Sequence, residues 1–251
     1  MYRIGVVSLF PELVEPVAKV GVVGRARERG LIELLHASPR DYTTDRHRTV
    51  DDRPYGGGPG MVLRYEPMRD AILHLKRRLP VDSMVLVLSA QGRRFDQALA
   101  RELARVAGML LVAGRYEGID ERIVAGVGAE EIALGDYVLS GGELAAAVVI
   151  DAVVRLLPGV LGDAASSIED SYMDGLLDSP QYTRPEHVDG LSVPEVLLRG
   201  DHEAVRRWRL KQALGRTWLR RPQLLETRTF TAEERELLDE FRAEMAATTG
   251  E

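Results

Sequence analysis

Three short segments place side chains able to do chemistry just where an apolar run ends. Ser89 closes the run in VLVLSAQG, Tyr116 and Glu117 follow the run in LLVAGRYEGID, and Asp136 and Tyr137 follow IALG in IALGDYVLSGGE. All three exits carry glycine: Gly92, Gly114 and Gly118, and Gly135, Gly141 and Gly142. In open parallel sheets ligands sit beyond the carboxyl ends of the strands, where backbone amides converge and loops are free to vary. Glycine lets the backbone approach a ligand closely and take positive φ, so the clustering points to a pocket lined by main chain. The plainer alternative is that short strand-to-helix turns simply need glycine.

Several chemistries are excluded. The dinucleotide fingerprint G-x-G-x-x-G is absent, because GVGAEE at 126–131 lacks the third glycine and follows a helix-like stretch. There is no G-x-x-x-x-G-K-[ST] and no G-x-S-x-G, which removes P-loop nucleotidases and the serine-hydrolase elbow. YGGGPGM at 55–61 follows the polar TVDDRP and reads as a flexible loop more than a phosphate cradle. The five histidines are scattered without H-E-x-x-H, and there is no cysteine, so thiolate catalysis, disulfides and thiolate metal sites are excluded.

A different signal lies in AVRRWRLKQALGRTWLRRPQLL, residues 204–225. It holds Arg206, Arg207, Arg209, Lys211, Arg216, Arg220 and Arg221, no acid and two tryptophans, within a chain of net charge −6. Such a concentration of cations would neutralise phosphates along a nucleic-acid backbone. The alternative is a solvated helix face, with Trp208 and Trp218 as core anchors; the tryptophans are assigned to packing. Taken alone, Arg155 reads as a cation at a helix C-terminus and Asp170 as a solvated loop acid.

The elements that must position these groups follow from periodicity. Short aliphatic runs at 3–8, 31–36, 84–89, 109–113 and 130–134 alternate with amphipathic stretches, which predicts an α/β fold with a parallel sheet. EPMRDAILHLKRRL, FDQALARELARVA and 143–157 supply the helices. From Pro158 the texture turns to Gly, Ser, Asp and Pro, a linker composition, and beyond Ser192 it becomes helical. Thr231 before Glu234 predicts a capping box for the last helix. The expected organisation is an α/β domain over 1–160, a flexible linker over 161–190 and a helical domain over 191–251. With 45% hydrophobic and 29% charged residues the chain has an ordinary globular composition. MYRIGVVSLFPELVEPV lacks a basic leader and is expected to be a first strand. No run of about 18 apolar residues escapes a charge, so no membrane span is expected. The cytoplasm is the expected compartment.

Taken in order, SLFPE, SPRDYTTDRHRTVDDRPYGGGPGM, GRYEGIDERI, GDYVLSGGEL, DGLLDSPQYTRPE and RRWRLKQALGRTWLRRP resemble the TrmD family of bacterial tRNA (guanine-N1)-methyltransferases over nearly the whole chain. The resemblance implies a SPOUT-type α/β domain whose C-terminal part forms a deep trefoil knot, followed by a small helical domain. Physical reading alone would not have proposed a knot. It implies that the three exits hold S-adenosylmethionine, with Leu88, Ser89, Gly114, Tyr116, Glu117, Gly118, Leu134, Gly135, Asp136, Tyr137, Val138, Leu139, Gly141 and Gly142 around it, the glycines being there because a side chain would displace the nucleoside. It further implies transfer of methyl to N1 of the guanosine immediately 3′ of the anticodon, position 37. Asp170 would be the general base, Arg155 the cation facing guanine O6, and Glu117 an orienting group.

The same resemblance implies a homodimer with each active site at the subunit interface, tRNA held by Arg and Lys of 206–221, and an association with magnesium, for which the sequence offers no dedicated cage. Departures from the family pattern are Ala90 for proline, Ala133 for serine and Ala145 for proline, all near the expected donor loops. Two rivals remain: an RNA-binding protein that kept the fold without catalysis, and a methyltransferase for another RNA.

Overall fold

The computed structural model describes residues 1–162 and 170–249. The chain divides into two compact units, Met1–Ala164 and Ala165–Glu251.

In the first unit the aliphatic runs form parallel strands β1 (Tyr2–Val7), β2 (Ile32–Ala37), β5 (Met84–Arg94), β6 (Gly108–Ala113) and β7 (Glu130–Ala133). They lie in the order β2-β1-β6-β5-β7. Each pair is parallel, with Gly5 opposite Leu35 and Leu110, and Val87 opposite Val112 and Glu131. A small antiparallel pair, β3 (Asp51–Asp52) with β4 (Val62–Leu63), stands apart from the sheet. Both faces of the sheet are covered, which is why these strands are apolar on consecutive residues instead of alternating. Tyr2, Ile4, Leu86, Met109 and Leu111 pack on one side under α1 (Gly21–Glu28), α3 (Gln97–Leu103) and α5 (Glu143–Val154). Val7, Val85, Leu110 and Val112 pack on the other under α2 (Tyr65–Lys76) and α4 (Arg122–Val127).

The strands agree with the expected runs except at β5, which continues five residues past Ser89. Leu88 pairs with Ile132 of β7, residues 89–92 are looped out, and the pairing resumes at Arg93, again opposite Ile132. Gly92 sits at this bulge because a Cβ there would run into the backbone of Glu131 and Ile132.

The second unit contains α6 (His202–Arg220) and α7 (Ala232–Thr249), with a hairpin of β8 (His187–Val188) and β9 (Leu191–Ser192) before them. Asp201 caps α6 by accepting from the N–H groups of Glu203 and Ala204. The capping box at α7 forms as expected: Glu234 N–H donates to Thr231 Oγ1 at 3.1 Å, and Thr231 N–H donates to Glu234 Oε2 at 2.8 Å. Leu214, Leu237, Leu238 and Leu176 make the core of this unit, with Trp218 and Phe230 at its edge. Leu176 comes from the stretch expected as a linker. Of that stretch, 161–190, residues 163–169 lie outside the described residues.

Candidate active site

The three exits meet at the carboxyl ends of β6, β5 and β7, which are neighbours in the sheet. Between them is a cavity of about 350 Å³. Thirteen of the fourteen expected donor-binding residues line it: Leu88 and Ser89 from the first exit, Gly114, Tyr116, Glu117 and Gly118 from the second, and Leu134, Gly135, Tyr137, Val138, Leu139, Gly141 and Gly142 from the third. Asp136 belongs to the third exit but is exposed and does not line the cavity. Ala90, Ala133 and Ala145, the three departures from the family pattern, all reach the wall. A cavity with main chain on three sides fits a nucleoside-bearing donor, whose polar edges can be met by backbone N–H and C=O groups.

Within the chain itself the glycines of the wall are constrained in several ways. A Cβ on Gly142 would stand 2.8 Å from Ala113 Cα, and one on Gly135 would stand 2.9 Å from the Tyr137 ring. A Cβ on Gly141 would collide with Arg115 and Glu143. Gly142 is therefore required by the approach of main chain to main chain between the second and third exits, Gly141 by the Arg115 and Glu143 side chains, and Gly135 by the folding of the Tyr137 ring back onto its own exit. Gly118 has open space around it but φ of +140°, and there the backbone conformation requires glycine. Beside it Tyr116 holds φ of +60°, a region non-glycine residues rarely adopt.

A buried ion pair that sequence reasoning missed ties the exits to β1. Glu143, at the start of α5, is fully buried. Its carboxylate accepts from Ser8 Oγ at 2.8 Å and from Arg115 Nε at 2.9 Å. Arg115 also donates from Nη1 to Ser140 O at 3.3 Å, and its guanidinium lies 4.6 Å from the centre of the Phe10 ring. Residues 115 and 141 form an isolated bridge, and Gly142 N–H donates to Gly114 O at 2.9 Å. Ser8 and Glu143 are separated by 135 residues. The only local hint was a carboxylate beside two glycines at a helix start, and its partners could not be read from spacing.

The glycine-rich stretch 55–61 is fastened to the second exit. Glu117 N–H donates to Met61 O, and Leu63 N–H donates to Gly118 O, both at 3.0 Å. A Cβ on Gly60 would overlap the Glu117 side chain. Glu117 thus lines the cavity with its carboxylate exposed to solvent on one side and the glycine loop on the other.

The other two expected catalytic residues are not in this wall. Arg155 is the C-cap of α5, half-buried, and lies a twelve-residue helix away from Gly142. At 1.5 Å per residue that is about 18 Å. Asp170 belongs to the second unit. Among the described residues no cluster of three or more His, Asp or Glu could hold a metal ion.

The seven expected tRNA-binding cations separate into three groups. Arg206 pairs with Glu203 and Glu233, Arg207 with Glu233, Glu236 and Glu240, and Lys211 with Glu240 and Glu244. These three knit α6 to α7. Arg221 donates to Tyr172 Oη at 3.0 Å. Arg209, Arg216 and Arg220 have no carboxylate partner among the described residues, and their spacing of seven and four puts them on one helical stripe. Trp218 packs at the core edge beneath Arg242, and Trp208 lies against Tyr182.

Comparison with known proteins adds an independent finding. The family model described as tRNA (Guanine-1)-methyltransferase TrmD matches residues 2–227. Three curated proteins named tRNA (guanine-N(1)-)-methyltransferase are similar along almost their full length. That of Chromohalobacter salexigens is 58% identical, covering 98% of this chain and 94% of its own. That of Methylococcus capsulatus is 59% identical, covering 96% of each. That of Salmonella schwarzengrund is 57% identical, covering 97% of this chain and 95% of its own.

Proposed function

The chain belongs to the tRNA (guanine-N1)-methyltransferase family TrmD, and from that premise we propose that it transfers a methyl group from S-adenosylmethionine to N1 of the guanosine at position 37 of tRNA, with Asp170 as the general base. The observation that carries this is the cavity walled by the main chain of three exits. Bound there, S-adenosylmethionine supplies an electrophilic sulfonium methyl group.

Neutral guanine carries a proton on N1, so the nitrogen becomes nucleophilic only as a base removes that proton. The Asp170 carboxylate takes it. As negative charge spreads to guanine O6, the Arg155 guanidinium stabilises it electrostatically. Glu117 accepts hydrogen bonds from the base or the donor at the cavity mouth. The stripe of Arg209, Arg216 and Arg220 meets tRNA phosphates, since these cations are not engaged with α7. Return of residues 140–142 onto Gly114 and Arg115 supports the knotted topology that the family resemblance implies.

The protein acts as a homodimer. Leu144 and Val148 are half exposed on α5, and with Asp151 and Arg155 they occupy one stripe of the helix. Two such helices packed antiparallel about a two-fold axis would bury the leucine and valine. That packing would carry the partner's Arg155 across the roughly 18 Å that separates Arg155 from its own exit glycines. It works in the cytoplasm, where its tRNA is found; no helix among the described residues is long and apolar enough to cross a membrane.

The test is incubation with labelled S-adenosylmethionine and a tRNA bearing guanosine at position 37, followed by mapping of the modified base. Methyl at N1 of that guanosine is expected. Donor binding without transfer would favour an RNA-binding role, and methyl on another RNA would change the substrate.

A further inference from the structure

We infer that the helical unit has a second task besides meeting RNA: Thr217 and Arg228 are positioning residues that fix the turn bearing Asp170. The inference rests on Asp170 being the base.

The turn following Asp170 is folded tightly on itself and clipped to the unit's helices. Met173 N–H donates to Asp170 O at 3.2 Å, and Tyr172 N–H donates to Leu176 O at 2.6 Å. Tyr172 holds φ of +71°. Such a conformation persists in a non-glycine residue only when its surroundings enforce it. Three contacts do so. Leu176 is buried in the core with Leu214 and Leu237. The Thr217 hydroxyl, fully buried in α6, accepts from Leu177 N–H at 2.9 Å and donates to Ala213 O at 2.7 Å. Arg228 donates from Nη1 to Asp174 O at 2.6 Å and from Nη2 to Glu234 Oε1 at 2.5 Å, which joins the turn to the capping box of α7.

A threonine in a helix interior is a weak helix former, and its hydroxyl usually bonds back to the preceding turn. Here the donor side is used that way, leaving an acceptor aimed at a backbone amide of another segment. Removing that acceptor takes from the Leu177 N–H the hydrogen bond that ties it to α6. A base displaced by as little as about 1 Å can lose about 100-fold in rate. The helices therefore set where the carboxylate stands.

Four proteins decide it: wild type, Asp170→Asn, Thr217→Val and Thr217→Ser, assayed for kcat, KM for tRNA and donor affinity, with hydrogen exchange at Leu177. Thr217→Val, which keeps shape and volume, should lower kcat about 10- to 100-fold with KM and donor affinity unchanged. It should also accelerate exchange at Leu177. Thr217→Ser, which keeps the acceptor, should restore both. If the buried valine prevents folding, Arg228→Met cuts the other clip and should show the same split between kcat and KM. Wild-type kcat in whichever of these variants folds, with Asp170→Asn inactive, overturns the positioning role and leaves the base intact. Turnover by Asp170→Asn overturns the base itself.

Discussion

Each unit contains a buried carboxylate paired with an arginine, and the second unit adds an ionic lattice whose carboxylates stay partly exposed. In the first, a single carboxylate, Glu143, is withdrawn completely from water and satisfied by Ser8 and Arg115. In the second, Glu234 is buried against Arg228 in a similar way, and beside that pair Arg206, Arg207 and Lys211 face Glu233, Glu236, Glu240 and Glu244 in a lattice whose carboxylates stay partly exposed. A buried pair fixes geometry, because no alternative partner can be found without desolvation cost. A solvated lattice contributes little to stability and yields to salt. The buried Glu143 pair suits the rigid donor cavity proposed for the first unit, and the lattice suits the adaptable RNA-facing surface proposed for the second.

The comparison breaks first at chemistry. Asp170→Asn should reduce kcat by about 100- to 10,000-fold, since the amide cannot take the N1 proton. Isothermal titration with S-adenosylhomocysteine should give wild-type affinity, because the donor cavity belongs wholly to the first unit. Loss of donor binding in that variant would mean that the two tasks are not divided as described.

The next effect lies in the first unit. Glu143→Ala leaves Arg115 without its buried partner and should lower unfolding stability by about 3–5 kcal/mol, read by chemical denaturation. Donor affinity should fall with it, while filter binding of tRNA at saturating protein should persist. A variant of wild-type stability would show that the exits are held by backbone contacts alone.

A smaller change sharpens the other side. Replacing Arg209, Arg216 or Arg220 by alanine should reduce the slope of log affinity against log salt by about 0.7–0.9 each. Arg207→Ala and Lys211→Ala should leave that slope nearly unchanged, because their charges are already neutralised across α7. Equal slopes in all five would return the whole basic stretch to RNA contact.

The smallest effect is in acid. Burial pushes the Glu234 carboxyl up, but hydrogen bonds from Arg228 and Thr231, with the Arg228 charge, outweigh it and hold the group below its ordinary value. A depressed carboxyl stabilises the fold above that ordinary value and ceases to do so as pH falls through the lower folded one. Glu234→Gln should therefore flatten the acid limb of a stability profile below about pH 4.5 and leave the neutral region lower than wild type. An unchanged acid limb would remove Glu234 from the clip.

Much of this was legible in residue order. The aliphatic runs marked the strands because a doubly covered parallel sheet demands consecutive apolar residues, and Thr231 with Glu234 announced a helix start through local hydrogen bonds. The resumption of β5 at Arg93 was hidden, since looping out 89–92 depends on β7 lying alongside. The Ser8–Glu143 contact was hidden by its distance along the chain. The engagement of Arg207 and Lys211 could have been found: Glu233, Glu236, Glu240 and Glu244 form an acidic stripe at helical spacing that needed a basic neighbour. Arg155 shows the converse, a residue that periodicity describes correctly as a helix-end cation while its proposed task depends on a second copy of the chain.

The central claim is that the backbone of the three exits grips the methyl donor. A crystal structure of the protein with S-adenosylhomocysteine should show the nucleoside between Leu88, Gly114 and Leu134, hydrogen-bonded chiefly to main-chain atoms. Density for the molecule at any other place, with that cavity filled only by water, would contradict it.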